Sequence, residues 1–160
     1  MRKNNLERMI QLAESVFHAK NDLAQISVTQ EDMQKLRAIH PRSMTEAADS
    51  QGPFAWILLI PTTRGLMEKF IAKEIGERDL VDRTPLDIQY DALYLCSALV
   101  LPEHRGKGLA KRLMLDAIAS IREQHPIRSL FYWAFSEEGE KLAHSVARGC
   151  GLPLSRRESE

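Results

Sequence analysis

The chain has 160 residues, of which 44% are hydrophobic, and its 22 Lys and Arg residues balance its 22 Asp and Glu residues. This length and apolar content are enough for one core, so we expect residues 1–160 to form a single domain. The balanced charge gives no overall field to attract nucleic acid or an anionic membrane surface, and we expect neither as a partner.

Cysteine use and apolar runs indicate a cytoplasmic protein. Cys96 and Cys150 lie far apart, and the opening residues, MRKNNLERMI, contain no apolar signal-peptide stretch. The longest apolar run, FAWILLI at 54–60, is much shorter than the roughly 20 residues that a membrane helix needs. We therefore expect a cytoplasmic location and no membrane span.

The first fifty residues are predicted to be mainly helical. Apolar residues recur at helical spacing over 5–19 and predict an amphipathic helix. The positions on its expected inner face are Leu6, Met9, Ile10, Ala13, Val16 and Phe17. Thr29 is a good helix cap and predicts a second helix that Pro41 ends. Between the two helices, AQISV at 24–28 is compatible with one short strand.

The middle of the chain is predicted to alternate between loops and regular elements. Polar residues 42–52 predict a loop. The unbroken apolar run at 54–60 then predicts a strand buried on both faces. Helical spacing over 64–75 predicts a helix, and the polar stretch 77–91 favours a solvated loop. The acidic residues of this stretch offer an alternative, the attraction of a cationic amine.

The second half of the chain predicts a strand–helix–strand unit. An apolar strand at 92–101 is followed by a helix that begins at Gly108 and then by an aromatic-rich strand at 128–135. Such a crossover makes the two strands parallel. Ser136 is predicted to cap a last helix, and little sequence remains after Leu152 for further strands.

Two glycines mark the point where the strand becomes a helix, in LVLPEHRGKGLAKRL at 99–113. A helix start presents free backbone N–H groups and the positive end of a dipole. Gly106 and Gly108 lack the Cβ atoms that would keep a phosphate from those amides. The neighbouring basic residues are Arg105, Lys107, Lys111 and Arg112. A pyrophosphate would suit this stretch, although the glycines alone are more typical of a tight turn beside a solvated basic helix face.

Two common nucleotide-binding patterns do not fit the stretch. A P-loop needs Ser or Thr after Gly-Lys, whereas Gly108 follows Lys107 here. A dinucleotide fingerprint needs a third glycine, whereas Lys111 occupies that position. The sequence therefore excludes both kinds of site.

The whole stretch resembles the acyl-CoA site of the GNAT superfamily of N-acetyltransferases. Their pattern is an apolar strand ending in V-x-P, two further residues, and R/Q-x-x-G-x-G/A at the start of a helix. Here Val100-Leu101-Pro102 is followed by Glu103-His104 and then by Arg105-Gly106-Lys107-Gly108-Leu109-Ala110. The resemblance implies an α/β fold with a mixed central sheet flanked by helices, here with a helical N-terminal region and a shortened C-terminal end. It also implies transfer of an acetyl group from acetyl-CoA to a primary amine.

The resemblance also assigns roles in binding coenzyme A. Backbone amides from Arg105 to Ala110 would surround the pyrophosphate, and backbone groups of Leu99 and Val100 would pair with the pantetheine arm. Ser136 stands where the family often has an Asn that touches the pantetheine region. The expected cofactor-binding residues are Leu99, Val100, Arg105, Gly106, Lys107, Gly108, Leu109, Ala110, Lys111 and Ser136.

The general acid of many relatives has no counterpart here. That acid is a Tyr on the last helix, four residues before a Gly-Phe pair, and Ala147 holds this position before Gly151-Leu152. The side chains that could replace it are His144, Ser145, Cys150 and Tyr132. Of these, His144 is the candidate that we carry forward as catalytic, against the simpler interpretation of a partly exposed helix residue.

A general base is the second catalytic candidate. Histone-acetylating relatives have a Glu six residues before the position of Val100, and Tyr94 stands there in this chain. Strict alternation would place Tyr94, Cys96, Ala98 and Val100 on one face of the strand. Tyr94 could position an amine or a water, although an aromatic residue on a buried strand is more often part of the core.

We expect the acceptor to be a small-molecule amine or a protein amine and the transfer to proceed by direct attack, since neither cysteine has an identified His partner. The remaining histidines show no metal-ligand spacing, so we expect no metal. Two alternatives stay open: a non-catalytic protein that binds acyl-CoA or another protein, and a dimeric structural module whose glycine turn binds nothing. Exposed strand edges would also allow a homodimer.

Overall fold

The computed structural model describes residues 4–20 and 29–158, with the side chains of 16–20 left aside. Its α-helices are α1 (Asn5–Lys20), α2 (Gln30–Ile39), α3 (Arg64–Ile71), α4 (Glu77–Arg83), α5 (Leu109–Arg122) and α6 (Glu137–Cys150). Its strands are β1 (Met44–Asp49), β2 (Gly52–Thr62), β3 (Ala92–Val100), β4 (Ser129–Trp133) and β5 (Leu154–Arg157). The possible strand at 24–28 lies outside the described residues.

The five strands form one mixed sheet in the order β1-β2-β3-β4-β5. Strand β2 is antiparallel to both β1 and β3. Strand β4 is parallel to both β3 and β5. The predicted parallel pair on either side of α5 is therefore confirmed. The long apolar run of β2 lies between β1 and β3, and this position explains its burial from Ile57 to Thr62.

Helices cover both faces of the sheet. On one face, α5 and α6 bury residues such as Met114, Ile118 and Val146 against β2, β3 and β4. On the other face, α3 and α4 pack on the sheet through Phe70 and Leu80. Helix α1 lies on this second face as well, where Met9 contacts Leu99 and Leu101 at the end of β3. The end of β3 thus lies between α1 and α5.

The predicted inner face of α1 is only partly correct. Met9 is fully buried, but Leu6 and Ile10 are 46% and 44% exposed. Helix α1 packs on the hydrophobic cluster around Leu99 through Met9, Leu12 and Ala13, whereas the side chains of Val16 and Phe17 lie outside those described. The second helix begins as predicted, because Thr29 and Asp32 form a reciprocal capping box.

The predicted loop at 42–52 is wrong, since most of it is strand β1. This strand pairs with β2 in a hairpin and lies at the edge of the sheet. Its residues are half-buried or exposed, so the apolar alternation that would reveal a strand is weak. Pairing with the strongly apolar β2, rather than local sequence preference, makes this segment a strand.

The predicted helix at 64–75 ends earlier, and the polar stretch after it is not all loop. Helix α3 stops at Ile71, and Lys73 adopts a left-handed φ of 66°. Gly76 precedes α4, and its backbone N–H donates to the carboxylate of Asp79. Helix α4 buries Leu80 and Val81 beside α3, and this packing holds the short helix in place. The polar residues around these two positions hide the helical pattern in the sequence.

An arginine is buried between two aromatic rings. The guanidinium of Arg157 in β5 lies 4.4 Å from the ring centre of Phe70 and 4.3 Å from that of Trp133. It also donates a hydrogen bond of 2.7 Å to the carbonyl of Ile75. Arg157 therefore connects the edge strand β5 to α3 and to the segment before α4.

Two histidines meet where α2 and α5 end. The rings of His40 and His125 are 5.8 Å apart, and Nδ1 of His40 accepts a hydrogen bond from the backbone N–H of Arg42. Nδ1 of His125 accepts from the backbone N–H of Tyr90. Burial lowers the pKa of both imidazoles. Both rings are therefore neutral in the folded protein at neutral pH.

Removing the buried guanidinium should destabilise the fold. We expect Arg157→Met to lower the free energy of unfolding by about 2–3 kcal/mol, because it loses a charged hydrogen bond and two cation–π contacts. Urea denaturation measures the change. The control is Arg156→Met, at the residue before Arg157. It removes the half-exposed ion pairs of Arg156 with Glu140 and Glu158 and should lower the free energy of unfolding by less than about 1 kcal/mol. Equal losses in the two variants would contradict this role of Arg157.

Acid should weaken the fold through the histidine pair. The unfolded chain takes up protons at pH values below about 6.5, before the folded imidazoles do, so the free energy of unfolding should fall with pH in that range. His40→Asn keeps an acceptor for Arg42 but does not titrate. Urea denaturation at about pH 7.5 and about pH 5.5 should show a smaller loss in this variant than in the wild type. If the free energy of unfolding fell by the same amount in the variant as in the wild type, His40 would be excluded as a contributor.

Candidate functional site

The candidate site is a cleft that opens where β3 and β4 separate. The two strands pair over three residues only, from Ala92–Ser129 to Tyr94–Phe131. From Leu95 to Val100, β3 keeps β2 on one side but has no described strand on the side of β4. A cleft of about 680 Å³ occupies this gap. Its wall therefore includes a strand edge with backbone groups available for pairing.

The cleft has contributions from both faces of the sheet. Residues from the face of α5 and α6 include Ala98, Ala110, Met114, Tyr132, Leu142 and Ala143. Residues from the face of α1 and α3 include Leu12, Cys96, Leu99, Trp133 and Phe135. The gap between the strands is thus a passage through the sheet, with a different set of side chains on each side.

A bulge in β3 decides which residues face which side. Leu58 of β2 pairs with Ser97 and Leu59 pairs with Leu95, so Cys96 is an extra residue without an opposite partner in β2. Tyr94 and Cys96 belong to the cluster on the side of α3, whereas Ala98 packs on the side of α5. The expectation that Tyr94, Cys96, Ala98 and Val100 share one face is therefore wrong, because the bulge changes the alternation after Cys96.

The glycine turn lies at the end of β3 and leads into α5. Gly106 and Gly108 have φ angles of 78° and 71°, in the left-handed region that residues with a Cβ disfavour. A Cβ added at either glycine would meet no atom within 4 Å. The glycines are therefore required by the backbone conformation, which leaves open space in front of the turn, and not by packing within the protein. Gly108 is the N-cap of α5, so the free amides of this helix begin at the turn.

Positive charge surrounds the turn. Arg105 lines the cleft and donates a hydrogen bond of 2.8 Å from Nε to the carbonyl of Val100. Lys107 and Arg112 are exposed, and Lys111 is half-buried. None of these four cations forms an ion pair with a residue of the described segments. Their charge is available to an anion bound at the turn.

These features agree with a comparison of the whole sequence with known families. Residues 26–152 match the model of the acetyltransferase (GNAT) family. The chain belongs to the GNAT acetyltransferase family. The resemblance seen in residues 99–113 is thereby confirmed, and so is the mixed sheet flanked by helices that it implies. No curated protein matches the sequence.

Solved GNAT structures resemble this fold at low sequence identity. An aminoglycoside acetyltransferase from an uncultured soil metagenomic sample matches with a TM-score of 0.51 and 15% identity, over 88% of this chain and 78% of that one. A ribosomal-protein-alanine N-acetyltransferase from Brucella melitensis biovar Abortus 2308 matches with a TM-score of 0.48 and 18% identity, over 89% and 83%. A GNAT family acetyltransferase from Brucella melitensis in complex with acetyl-CoA gives 0.42 and 14%, over 88% and 77%. At these identities, the first likeness shows the fold alone.

No helix in the described segments combines the length and the apolar character that a membrane crossing requires. Among the described side chains of residues 4–15 and 29–158, no three His, Cys, Asp or Glu residues are arranged to hold a metal ion.

The structure places Tyr94 beneath the cleft and not along its wall. Its side chain is 1% exposed, and its hydroxyl donates a hydrogen bond of 2.6 Å to Oε2 of Glu77. Burial raises the pKa of Tyr94 well above its ordinary value, and the charge of Glu77 adds to this effect. The thiol of Cys96, which lines the cleft, donates to the same carboxylate oxygen at 3.3 Å. Tyr94 is thus connected to the cleft through Glu77 and Cys96.

Sequence reasoning missed the burial of Glu77, which was grouped with a solvated loop. Glu77 is only 2% exposed because it begins α4 and faces β3 across the interior. The apolar residues around it, Ile75, Leu80 and Val81, were the signal that this segment packs inward.

His144 also lies outside the cleft wall. It is exposed on α6, and its Nε2 lies 3.5 Å from the hydroxyl of Tyr132. Tyr132 does line the cleft, and its hydroxyl is 3.2 Å from Oε1 of Glu140. Burial, and then the charge of Glu140, raises the pKa of Tyr132, so its hydroxyl remains protonated at neutral pH. Tyr132 is the phenol that the described structure places at the cleft.

Two other sequence candidates have structural roles. Ser136 lines the cleft, as predicted for a residue near the pantetheine arm, and its hydroxyl caps α6 by accepting from the N–H of Gly139. The thiol of Cys150 donates to the carbonyl of Ala147 near the end of the same helix. Ala147, at the position of the usual acid, is buried and offers no proton.

Helix α1 is tied to the segment before the glycine turn. The guanidinium of Arg8 makes two hydrogen bonds of 2.6 Å to the carboxylate of Glu103. These bonds lower the pKa of Glu103 to about 2. The next residue, His104, stacks on Phe54 with ring centres 3.9 Å apart. The turn is thereby held between α1 and β2, and the negative charge nearest to it is already paired.

A side chain at the glycine turn should prevent anion binding. We expect Gly108→Glu to raise the Kd for coenzyme A by at least about a hundredfold, because it adds negative charge and bulk at the turn and strains a left-handed residue. Isothermal titration calorimetry with coenzyme A measures the effect. Gly65→Glu is the matched control, since Gly65 is exposed on α3 and a Cβ there also meets no atom. Unchanged affinity in Gly108→Glu would remove the turn from the binding site.

Proposed function

We propose that this GNAT family protein transfers the acetyl group of acetyl-CoA to a primary amine. The observation that carries the proposal is the joining of the glycine turn to the gap between β3 and β4. One end of this continuous surface is cationic and rich in free amides, and the other is a narrow, mainly apolar cleft. A pyrophosphate followed by a pantetheine arm has the same order of chemical properties.

The residues present fit such a ligand along its whole length. The amides from Arg105 to Ala110 would hold the pyrophosphate, with Lys107 and Lys111 adding charge. The free edge of β3 at Leu99 and Val100 would pair with the amides of the pantetheine arm, in the way that a peptide strand adds to a sheet.

The passage through the sheet supports direct attack. A thioester that enters from the side of α5 and an amine that enters from the side of α1 can occupy the cleft together, so no acetylated intermediate of the protein is required. The amine must be neutral to attack, and neutralising an ordinary lysine-like amine at pH 7 costs about 4–5 kcal/mol. The apolar wall around Leu95, Leu99 and Trp133 favours the neutral form over the charged form.

The thiolate that leaves coenzyme A needs a proton. Tyr132 retains its proton at neutral pH and lies at the cleft, and we propose it as the donor in place of the Tyr that Ala147 replaces. Tyr94 and His144 remain predicted contributors, each through a neighbour: Tyr94 through Glu77 and Cys96, and His144 through Tyr132.

One observation favours a second function. The buried Ala147 gives the position of the usual acid no ionisable group, which is compatible with a protein that binds acyl-CoA without catalysis. A homodimer and a cytoplasmic location also stay predictions.

Ligand binding and turnover separate these possibilities. We expect acetyl-CoA and coenzyme A, but not NAD, to raise Tm, since a ligand at 100 times its Kd stabilises the fold by about 2.7 kcal/mol. We also expect the protein to release the free thiol of coenzyme A from acetyl-CoA when an amine acceptor is present, and this release measures turnover. Binding without turnover would favour the second function, and no shift would overturn both. After incubation with acetyl-CoA alone, the intact mass should be unchanged, since an acetylated protein would contradict direct attack.

A further inference from the structure

The second opening of the cleft is built mainly from apolar side chains. On the face of α1 and α3, the wall includes Leu12, Leu99, Trp133 and Phe135, with Cys96 and Ser97 between them. Phe135 is 37% exposed, which is high for a large aromatic residue, and its ring lies 4.4 Å from that of Trp133. An exposed aromatic ring that rests on a buried one at the mouth of a cleft marks a surface that an apolar group can cover.

Negative charge is scarce among the described residues at this opening. Glu138 is the one carboxylate among the described residues of the cleft wall, and it lies in the first turn of α6, on the opposite face of the sheet. Glu77 is buried behind Cys96 and already accepts hydrogen bonds from Tyr94 and Cys96. A ligand with several ammonium groups would lose hydration at these walls without gaining ion pairs, which is unfavourable.

We propose that this opening binds the carrier group of the acceptor, and that the acceptor is a primary amine on an aliphatic or aromatic group, with no second positive charge near it. The inference rests on the proposed function and specifies its substrate class. Trp133 and Phe135 contact the carrier group and direct the single amine into the gap beside Cys96. The same apolar wall that favours the neutral amine also selects its carrier, so substrate choice and amine activation have one physical origin.

A panel of amines tests the substrate class. The probes are 2-phenylethylamine and hexylamine, with spermidine and kanamycin as polycations and methylamine as an amine without a carrier. With saturating acetyl-CoA, we expect kcat/KM for 2-phenylethylamine and hexylamine to exceed that for spermidine and kanamycin at least about tenfold. A preference for the polycations would overturn the inference and leave the acetyltransferase function intact.

Phe135→Ala tests the wall itself. The KM for 2-phenylethylamine should rise about tenfold, because the carrier loses an aromatic contact, whereas kcat/KM for methylamine and the Kd for acetyl-CoA should stay within about twofold. The matched control is Ile88→Ala, at a residue of similar exposure outside the cleft wall, which should behave as the wild type with every probe. An equal loss with methylamine and 2-phenylethylamine would show general damage to the site and overturn the role of this wall. Failure of the wild type to bind acetyl-CoA would instead overturn the proposed function itself.

Discussion

The early separation of β3 from β4 is the constraint on which the site depends. Two parallel strands joined by a crossover helix would ordinarily continue to pair, but here pairing stops after Tyr94 and Phe131. The bulge at Cys96 lies just beyond this point and increases the local twist of β3. The strand edge, the cleft and the access from both faces all follow from this separation. The same geometry places the glycine turn next to the cleft, because the turn follows the end of β3 that no longer pairs with β4.

The parts of the fold that could be predicted from sequence are those in which local and tertiary signals agree. Strands β2 and β3 are continuous apolar runs, and α5 has a clear helical period after Gly108, so burial and periodicity indicate the same elements. Strand β1 and helix α4 were not predictable in this way. Each is short and mostly polar, and each exists because a neighbour holds it: β2 pairs with β1, and the cluster around Phe70 buries the apolar face of α4.

The candidate site also contains parts that could be predicted from sequence and parts that could not. The glycine turn and its charges are local, and residues 99–113 contain all that is needed to predict them. The cleft is not local, because Leu12 comes from α1 and Phe135 from the end of β4, and their meeting depends on the packing of distant elements. The interior position of Glu77 and the changed orientation after Cys96 are equally hidden, since periodicity assumes an uninterrupted ladder.

The bulge also determines how β3 tolerates a change in its length. Because Cys96 is the extra residue, Ala98 lies opposite Ile57 and Leu99 opposite Trp56 as they would in a strand that is one residue shorter. Loss of one residue at the bulge would therefore restore strict alternation, and Leu99 would still contact Met9 while Ala98 stayed on the side of α5. The strand would instead lose the local twist that the bulge adds just beyond the point where β3 leaves β4. A deletion at this point of the strand therefore affects the opening of the cleft more than the attachment of α1.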